Sequence, residues 1–143
     1  MNPQVVRDAM VPEPTMLGAD ASARDAGVLF ADNDDVRAVF VVDTDGRLVG
    51  VLTRKTLVRE VVAAGRAPQD VRVREIAEPP HFTLDASLLL EDGFRQLEEN
   101  DLERVPVVED GRLVGVLSRA VVQRRLAEDE PPEVDQESGT VVL

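Results

Sequence analysis

The chain has 143 residues, a length that allows one ordinary domain or two very small domains with a shared core. Its 16 basic and 28 acidic residues give a formal charge of −12, which disfavours binding to nucleic acid and to anionic membrane surfaces. The chain has no cysteine and one histidine, which excludes disulfides, thiolate metal sites and sites built from several histidines of one chain. Because no segment resembles a membrane span or a signal peptide, we expect a cytoplasmic protein.

The first elements in the chain are a short strand followed by a helix. The strand is predicted near Thr15–Leu17. Ser22 followed three residues later by Asp25 is a capping-box pattern, which is typical of a helix start. We therefore expect the first helix to begin directly after Ser22.

A hairpin and a second helix follow. The β-branched runs 38–42 and 48–52 are separated by a turn that contains Asp45-Gly46. An Asp-Gly pair between apolar runs favours a hairpin because glycine readily adopts positive φ. The next helix is expected to start at Thr53 and to carry the apolar residues Leu57, Val58, Val61 and Val62.

The second half of the chain predicts the same order of elements. A short strand is expected near Phe82–Leu84, and Ser87 is a candidate N-cap. Leu90, Phe94 and Leu97 are spaced to form one apolar helix face. Strands and a final helix then follow, at 105–108, at 113–117 and from Ser118 onward, with Asp110-Gly111 in the turn.

A direct repeat explains this agreement. Residues 46–54 read GRLVGVLTR and residues 111–119 read GRLVGVLSR, at an offset of 65. The sequence therefore predicts two β-α-β-β-α units in an α/β (α+β) fold, packed with pseudo-twofold symmetry, because a unit of this size buries little surface by itself. We expect one unit at 6–66, the other at 67–127, and an acidic flexible tail at 128–143.

The two hairpins, VFVVDTDGRLVGVLTR (39–54) and VPVVEDGRLVGVLSR (105–119), resemble those of the CBS domain. The resemblance extends over about residues 6 to 127, and the chain is similar to a CBS pair, or Bateman module. It implies a regulatory module that binds an adenosine-containing ligand, such as AMP, ADP, ATP or S-adenosylmethionine, in clefts between the copies. It also implies a homodimer that signals to a separate protein partner, with no membrane or nucleic-acid partner.

The resemblance further assigns candidate ligand-binding residues through the pattern G-h-h-[ST]-x-x-D. The chain presents Thr53 and Ser118 at the hydroxyl position of this pattern. Such a residue lies at a helix N-terminus, where free N–H groups attract phosphate. At the aspartate position, which binds the ribose hydroxyls in the family, the chain has Thr56 and Val121. Thr56 retains one hydrogen-bonding group, whereas Val121 has none.

Five further residues lie where the resemblance places ligand contacts. Arg54 and Arg119 follow the hydroxyl positions, and Arg37 and Arg104 lie just before the second strand of each copy, so that all four are candidates to contact phosphate. Thr83 lies in the first strand of the second copy, which lines the base pocket in the family. Each of the five also has a purely structural interpretation, as a solvated or packed side chain.

Two functions from different classes therefore stay open. The first is a sensor that binds an adenosine ligand. The alternative is a ligand-free dimeric scaffold, which the replacement of both aspartates by Thr56 and Val121 favours. An enzyme is not expected, because no nucleophile–base pair, metal cluster or glycine-rich phosphate loop is visible. His81, after Pro79-Pro80, is interpreted as a turn residue, and no metal site is predicted.

Overall fold

The computed structural model describes residues 3–12, 14–129, 133–134 and 141–142. Its helix α3 continues directly into the π-helical turn Val58–Val62, and a short 3-10 turn covers Pro68–Asp70. The α-helices are α1 Val6–Ala9, α2 Ala23–Asp32, α3 Arg54–Leu57, α4 Val73–Ile76, α5 Leu90–Glu99 and α6 Arg119–Asp129. The strands are β1 Val11–Pro12, β2 Met16–Gly18, β3 Ala38–Val42, β4 Leu48–Thr53, β5 Leu84–Asp85, β6 Arg104–Glu109, β7 Arg112–Ser118, β8 Glu133–Val134 and β9 Val141–Val142.

Each copy forms its own small sheet. In the first copy the strand order is β2-β3-β4, with β2 parallel to β3 and β4 antiparallel to it. The second copy repeats this arrangement as β5-β6-β7, and β1 adds antiparallel to β7. Gly46 and Gly111 both have a φ of 81° at the hairpin turns, which is the conformation that the Asp-Gly pattern predicts.

The two hairpins meet about a pseudo-twofold axis. The backbone N–H of Leu48 donates to the carbonyl of Gly111 at 3.1 Å, and that of Leu113 donates to the carbonyl of Gly46 at 3.0 Å. Beside these bonds, Phe40, Val42 and Leu113 form a small buried cluster between the sheets. The predicted fold, two copies of one α+β unit packed with pseudo-twofold symmetry, is thus confirmed.

The copies also exchange short helices, which the sequence did not predict. Helix α1 buries Val6 in the core of the second copy, and α4 buries Val73 in the core of the first. The backbone N–H of Val6 donates to Leu88 at 2.8 Å, and that of Val73 donates to Ala21 at 2.8 Å. Four-residue helices are too short to show a periodic apolar face, so their existence depends on this packing.

The two copies start their first long helix differently. In α2 the Ser22 hydroxyl accepts from the N–H of Asp25 at 3.1 Å and the Asp25 carboxylate accepts from the N–H of Ser22, so the predicted capping box is confirmed. The prediction that Ser87 is an N-cap is wrong, because α5 begins at Leu90. Ser87 instead donates its N–H and its hydroxyl to the Asp85 carboxylate, which lowers the pKa of Asp85.

This difference predicts unequal effects of two matched substitutions. Ser22→Ala removes an N-cap and is expected to lower the free energy of unfolding by about 0.5–2 kcal/mol. Ser87→Ala removes an exposed hydrogen bond outside the helix and is expected to change it by about 0.5 kcal/mol or less. Urea denaturation of both variants measures the difference, and equal losses would contradict the assignment of the caps.

The final helix of each copy buries only part of its apolar residues. In the first copy Val61 is buried and Leu57 packs against the core, whereas Val58 and Val62 are 55% and 68% exposed. In the second copy, Val122 is buried. The first copy therefore leaves an apolar strip on its outer helical face.

The end of the chain is described only in part. Helix α6 extends to Asp129, and β8 and β9 pair antiparallel through Glu133 with Val142 and Val134 with Val141. The remainder of the predicted acidic tail lies outside the described residues. Among the helices that the structure describes, none has the length and apolarity needed to cross a bilayer.

Candidate ligand-binding site

A cavity of about 620 Å³ opens between the two sheets. Its walls come from β3, β4, β6 and β7, from the loops that precede β3 and β6, and from the segments that follow α1 and α4. A volume of about 300–1,000 Å³ is typical of small-molecule sites. The lining residues are Val11, Pro14, Thr15, Asp35, Val36, Arg37, Ala38, Phe40, Val51, Thr53, Glu78, Pro79, Pro80, His81, Phe82, Leu102, Arg104, Val105, Pro106, Val116, Ser118 and Val121.

Four of the candidate residues are brought together in this lining. Thr53 ends β4 and Ser118 ends β7, so each copy contributes one hydroxyl at the start of its final helix. Arg37 lies just before β3, as expected. Arg104 was also expected to precede its strand, but it is the first residue of β6 and pairs with Ser118.

The two arginines of the cavity have exposed, uncompensated charges. Over the residues that the structure describes, neither the Arg37 nor the Arg104 guanidinium makes a hydrogen bond or an ion pair with another side chain or carbonyl. The lining also contains the carboxylates of Asp35 and Glu78, so the two guanidiniums favour an anionic group of the occupant beside them and not a net negative charge of the whole occupant.

Arg54 lies outside the cavity lining. Its guanidinium donates to the carbonyls of Val36 at 2.6 Å, Phe30 at 3.1 Å and Asn33 at 3.1 Å. It also lies 5.0 Å from the centroid of the Phe30 ring. These contacts tie the end of α2 to the start of α3, so Arg54 acts structurally, as a cap on carbonyls that the helix leaves free.

Arg119 and Thr83 also lie outside the lining. The Arg119 guanidinium contacts the carboxylates of Asp101 at 3.3 Å and Glu103 at 3.5 Å, and its backbone N–H donates to the Glu103 carbonyl at 2.8 Å. These contacts hold the loop after α5 against the start of α6. Thr83 is exposed in the segment that precedes β5.

Thr56 is buried beneath the cavity lining. It is 3% exposed, and its hydroxyl lies 3.1 Å from the Thr53 hydroxyl and donates to Glu78 Oε1 at 3.2 Å. The Thr53 hydroxyl also accepts from the Thr56 N–H at 3.2 Å, as an N-cap. The Thr56 hydroxyl, which stands at the aspartate position of the first motif, is thus already hydrogen-bonded inside the protein. One of its partners is the Glu78 carboxylate, which comes from outside the motif.

Sequence reasoning missed that carboxylate. Glu78 lines the cavity because the segment after α4 pairs with β4, where the Val51 N–H donates to the Glu78 carbonyl at 2.7 Å and the Glu78 N–H donates to the Val51 carbonyl at 2.9 Å. The same segment places His81, which the sequence assigned to a turn, in the cavity wall. No pattern in the sequence revealed this pairing, because it depends on the exchange of α4.

The Glu78 carboxylate is held in its ionised form. Arg59 donates to Glu78 Oε1 at 3.0 Å and Thr56 donates to the same oxygen. These two hydrogen bonds, with that from Arg59 the larger cause, lower the pKa of Glu78 below its ordinary value. Glu78 therefore contributes a negative charge to a cavity that Arg37 and Arg104 make positive elsewhere.

The acidic side chains and the histidine were also compared with the requirements of a metal site. Over residues 3–12 and 14–129 and the four described residues beyond them, no three or more histidine, aspartate or glutamate side chains cluster in a way that could hold a metal ion.

The fold and the cavity define a class of protein, a module of two pseudo-symmetric α+β copies with a cavity between their sheets. The CBS domain family model matches residues 6–63 and 73–128, and the chain belongs to that family as a CBS pair. The family resemblance that the two hairpins suggested is thereby confirmed.

Known proteins support this assignment over nearly the whole chain. Hypoxic response protein 1 of Mycobacterium tuberculosis is 30% identical over 122 residues, which are 85% of this chain and 85% of that protein. A crystal structure of Hypoxic Response Protein I with two coordinated zinc ions has a TM-score of 0.70 at 28% identity and covers 90% of this chain and 100% of that one. CBSX2 in complex with AMP has a TM-score of 0.68 at 28% identity, with 87% and 96% covered.

Proposed function

We propose that this CBS pair is a non-catalytic regulatory module, and that it binds an adenosine-containing ligand with a phosphate or carboxylate group in the cavity between its sheets. The observation that carries the proposal is the pair of uncompensated guanidiniums, Arg37 and Arg104, in a cavity that also presents Thr53 and Ser118 at two helix starts. Cations and hydroxyls that line one cavity suit a phosphate group.

Three features favour an adenosine ligand such as AMP, ADP, ATP or S-adenosylmethionine. The cavity volume of about 620 Å³ accommodates a nucleotide. Much of its wall is apolar, including Phe40, Val51 and Pro106, which suits a purine ring. A CBS pair of similar fold, CBSX2, has been solved in complex with AMP.

Regulation would act through the arrangement of the two copies. A ligand between the sheets contacts both halves of the pseudo-twofold, so its binding favours one relative orientation to the extent that it binds that orientation more tightly. A change in this orientation would alter the homodimer, and a partner protein would respond to the altered dimer. With the exposed Val28 of α2, the apolar strip of Val58 and Val62 supports a dimer contact on the first copy. The second copy has the polar Arg95 and Gln123 at the positions of Val28 and Val58, so its outer face is less apolar.

The alternative function is a ligand-free dimeric scaffold. The observation in its favour is that Thr53 and Thr56 already bond to each other and that Thr56 donates to Glu78, so the first motif satisfies its polar groups without a ligand. The second motif has Val121 at the corresponding position and needs no polar partner. A stable dimer that binds no adenosine ligand would support this function.

A thermal-shift titration with AMP, ADP, ATP, S-adenosylmethionine and NAD distinguishes the two functions. A ligand that binds only the folded state raises the Tm by mass action, by an amount that grows with its concentration. The proposal expects such a rise with at least one of the five ligands. The absence of a rise with all five at millimolar concentration, together with dimeric mass by light scattering, would establish the scaffold instead.

A further inference from the structure

The two ends of the cavity are related by the internal repeat, but they differ in chemistry. Glu78 pairs with Val51 in β4, just as Val11 pairs with Val116 in β7. Glu78 and Val11 thus occupy equivalent places, one after α4 and the other after α1, and both line the cavity. One end therefore presents a carboxylate where the other presents an isopropyl group.

The residues at the helix starts differ in the same sense. Both ends have a hydroxyl, from Thr53 or from Ser118. Three residues later the first end has Thr56, whose hydroxyl donates to Glu78, whereas the second end has Val121 in the cavity wall. The Thr53 end thus has a hydroxyl and a carboxylate at the two places where the Ser118 end has isopropyl groups.

Glu78 is prepared to accept hydrogen bonds from an occupant of the cavity. Its backbone is fixed by two hydrogen bonds to Val51, and its Oε1 is held by Thr56 and Arg59. Its other oxygen, Oε2, makes no hydrogen bond to any residue that the structure describes, and the side chain is 48% exposed. A charged acceptor that is oriented at one oxygen and free at the other suits a neutral hydroxyl donor.

We infer that Glu78 is the residue that recognises the sugar hydroxyls of the ligand, and that the cavity takes one nucleotide per chain with its sugar at the Thr53 end. This inference rests on the proposed function and identifies the residue that determines its specificity. The carboxylate comes from the segment after α4 and not from the helix position that Thr56 occupies. The Val11–Val121 end offers no such acceptor and receives apolar or phosphate groups only.

A second acidic residue in the lining provides a matched control. Asp35 is exposed in the loop before β3, and no hydrogen bond to a residue within the described part of the chain orients its carboxylate. Asp35→Asn removes the same charge as Glu78→Gln from the same cavity. A general electrostatic effect on an anionic ligand would therefore be common to the two variants, whereas recognition of hydroxyls would be confined to Glu78.

The test is calorimetric titration of the full chain and its two variants with AMP and with 2′,3′-dideoxy-AMP, which lacks both sugar hydroxyls. The unaltered protein is expected to bind one AMP per chain and to bind the dideoxy nucleotide about tenfold to a hundredfold more weakly. Glu78→Gln should reduce this preference, because it weakens AMP binding relative to binding of the dideoxy nucleotide. Asp35→Asn should keep the preference, and thermal melts should show both variants folded.

Each other outcome has a separate meaning. If AMP binds and Glu78→Gln keeps the preference for it, or weakens both nucleotides equally, Glu78 does not recognise the hydroxyls. Two AMP molecules per chain with similar affinity would overturn the assignment of a single sugar-binding end. If the unaltered protein binds neither nucleotide, the proposed function fails for AMP, and the inference fails with it.

Discussion

Leu117→Ala is expected to lower the free energy of unfolding by about 2–5 kcal/mol. Leu117 is fully buried in β7, in the core cluster that also contains Val6 and Ala9 of α1. Shortening its side chain leaves a cavity where α1 packs on the sheet of the second copy. The substitution therefore weakens both the core of the second copy and the packing of α1 against it. Urea denaturation followed by circular dichroism measures the change.

Leu89→Ala is the matched control, because it removes the same atoms from a side chain that is 44% exposed. We expect its effect to be about 1 kcal/mol or less, since little apolar surface returns to water and no cavity forms. Losses of the same size in the two variants would contradict the assignment of the core around α1.

Charge reversal at the cavity arginines is expected to weaken binding of an anionic nucleotide about tenfold to a hundredfold per residue. Arg37→Glu and Arg104→Glu each replace a charge-assisted hydrogen-bond donor with a negative charge, which repels the negative phosphate of the nucleotide. Both side chains are exposed and make no ion pair with a described residue, so neither substitution breaks an interaction of the folded protein. Calorimetric titration with the nucleotide that gives the largest thermal shift measures the loss of affinity.

Arg95→Glu separates local contact from net charge. It changes the charge of the chain by the same amount, but Arg95 is an exposed residue of α5 outside the cavity lining, with its side chain 63% exposed. Its effect should be small and should disappear as salt is added, because distant exposed charges are screened. An effect on affinity as large as that of Arg37→Glu would show that the arginines act only through the overall field.

The fold was predictable from features that are local in sequence. The repeated hairpins, with Gly46 and Gly111 at their turns, and the capping box of Ser22 and Asp25 depend on contacts within a few residues. The packed positions of α1 and α4 were not predictable in this way. Their helices have four residues each, and their stability comes from burial of Val6 and Val73 against the other copy.

The candidate site was predictable to the extent that it follows the repeat. Thr53 and Ser118 stand at the same position of the two repeated hairpin segments. The structure places both in one cavity with Arg37 and Arg104. The role of a neighbouring residue such as Arg54 was not readable, because the carbonyls it binds come from a loop and helix end about 20 residues away in sequence. Glu78 was missed for the same physical reason, since only tertiary pairing brings it beside the cavity.

The central claim is that a nucleotide binds between the two sheets, and titration of the ¹⁵N-labelled protein with AMP, ADP and ATP in turn, followed by NMR, tests it most directly. The account predicts saturable shifts of the backbone amides of Arg37, Thr53, Glu78, Arg104 and Ser118, with the outer face of α2 and α5 unaffected. Shifts confined to the outer helical face, or no shifts with any of the three nucleotides at millimolar concentration, would contradict it.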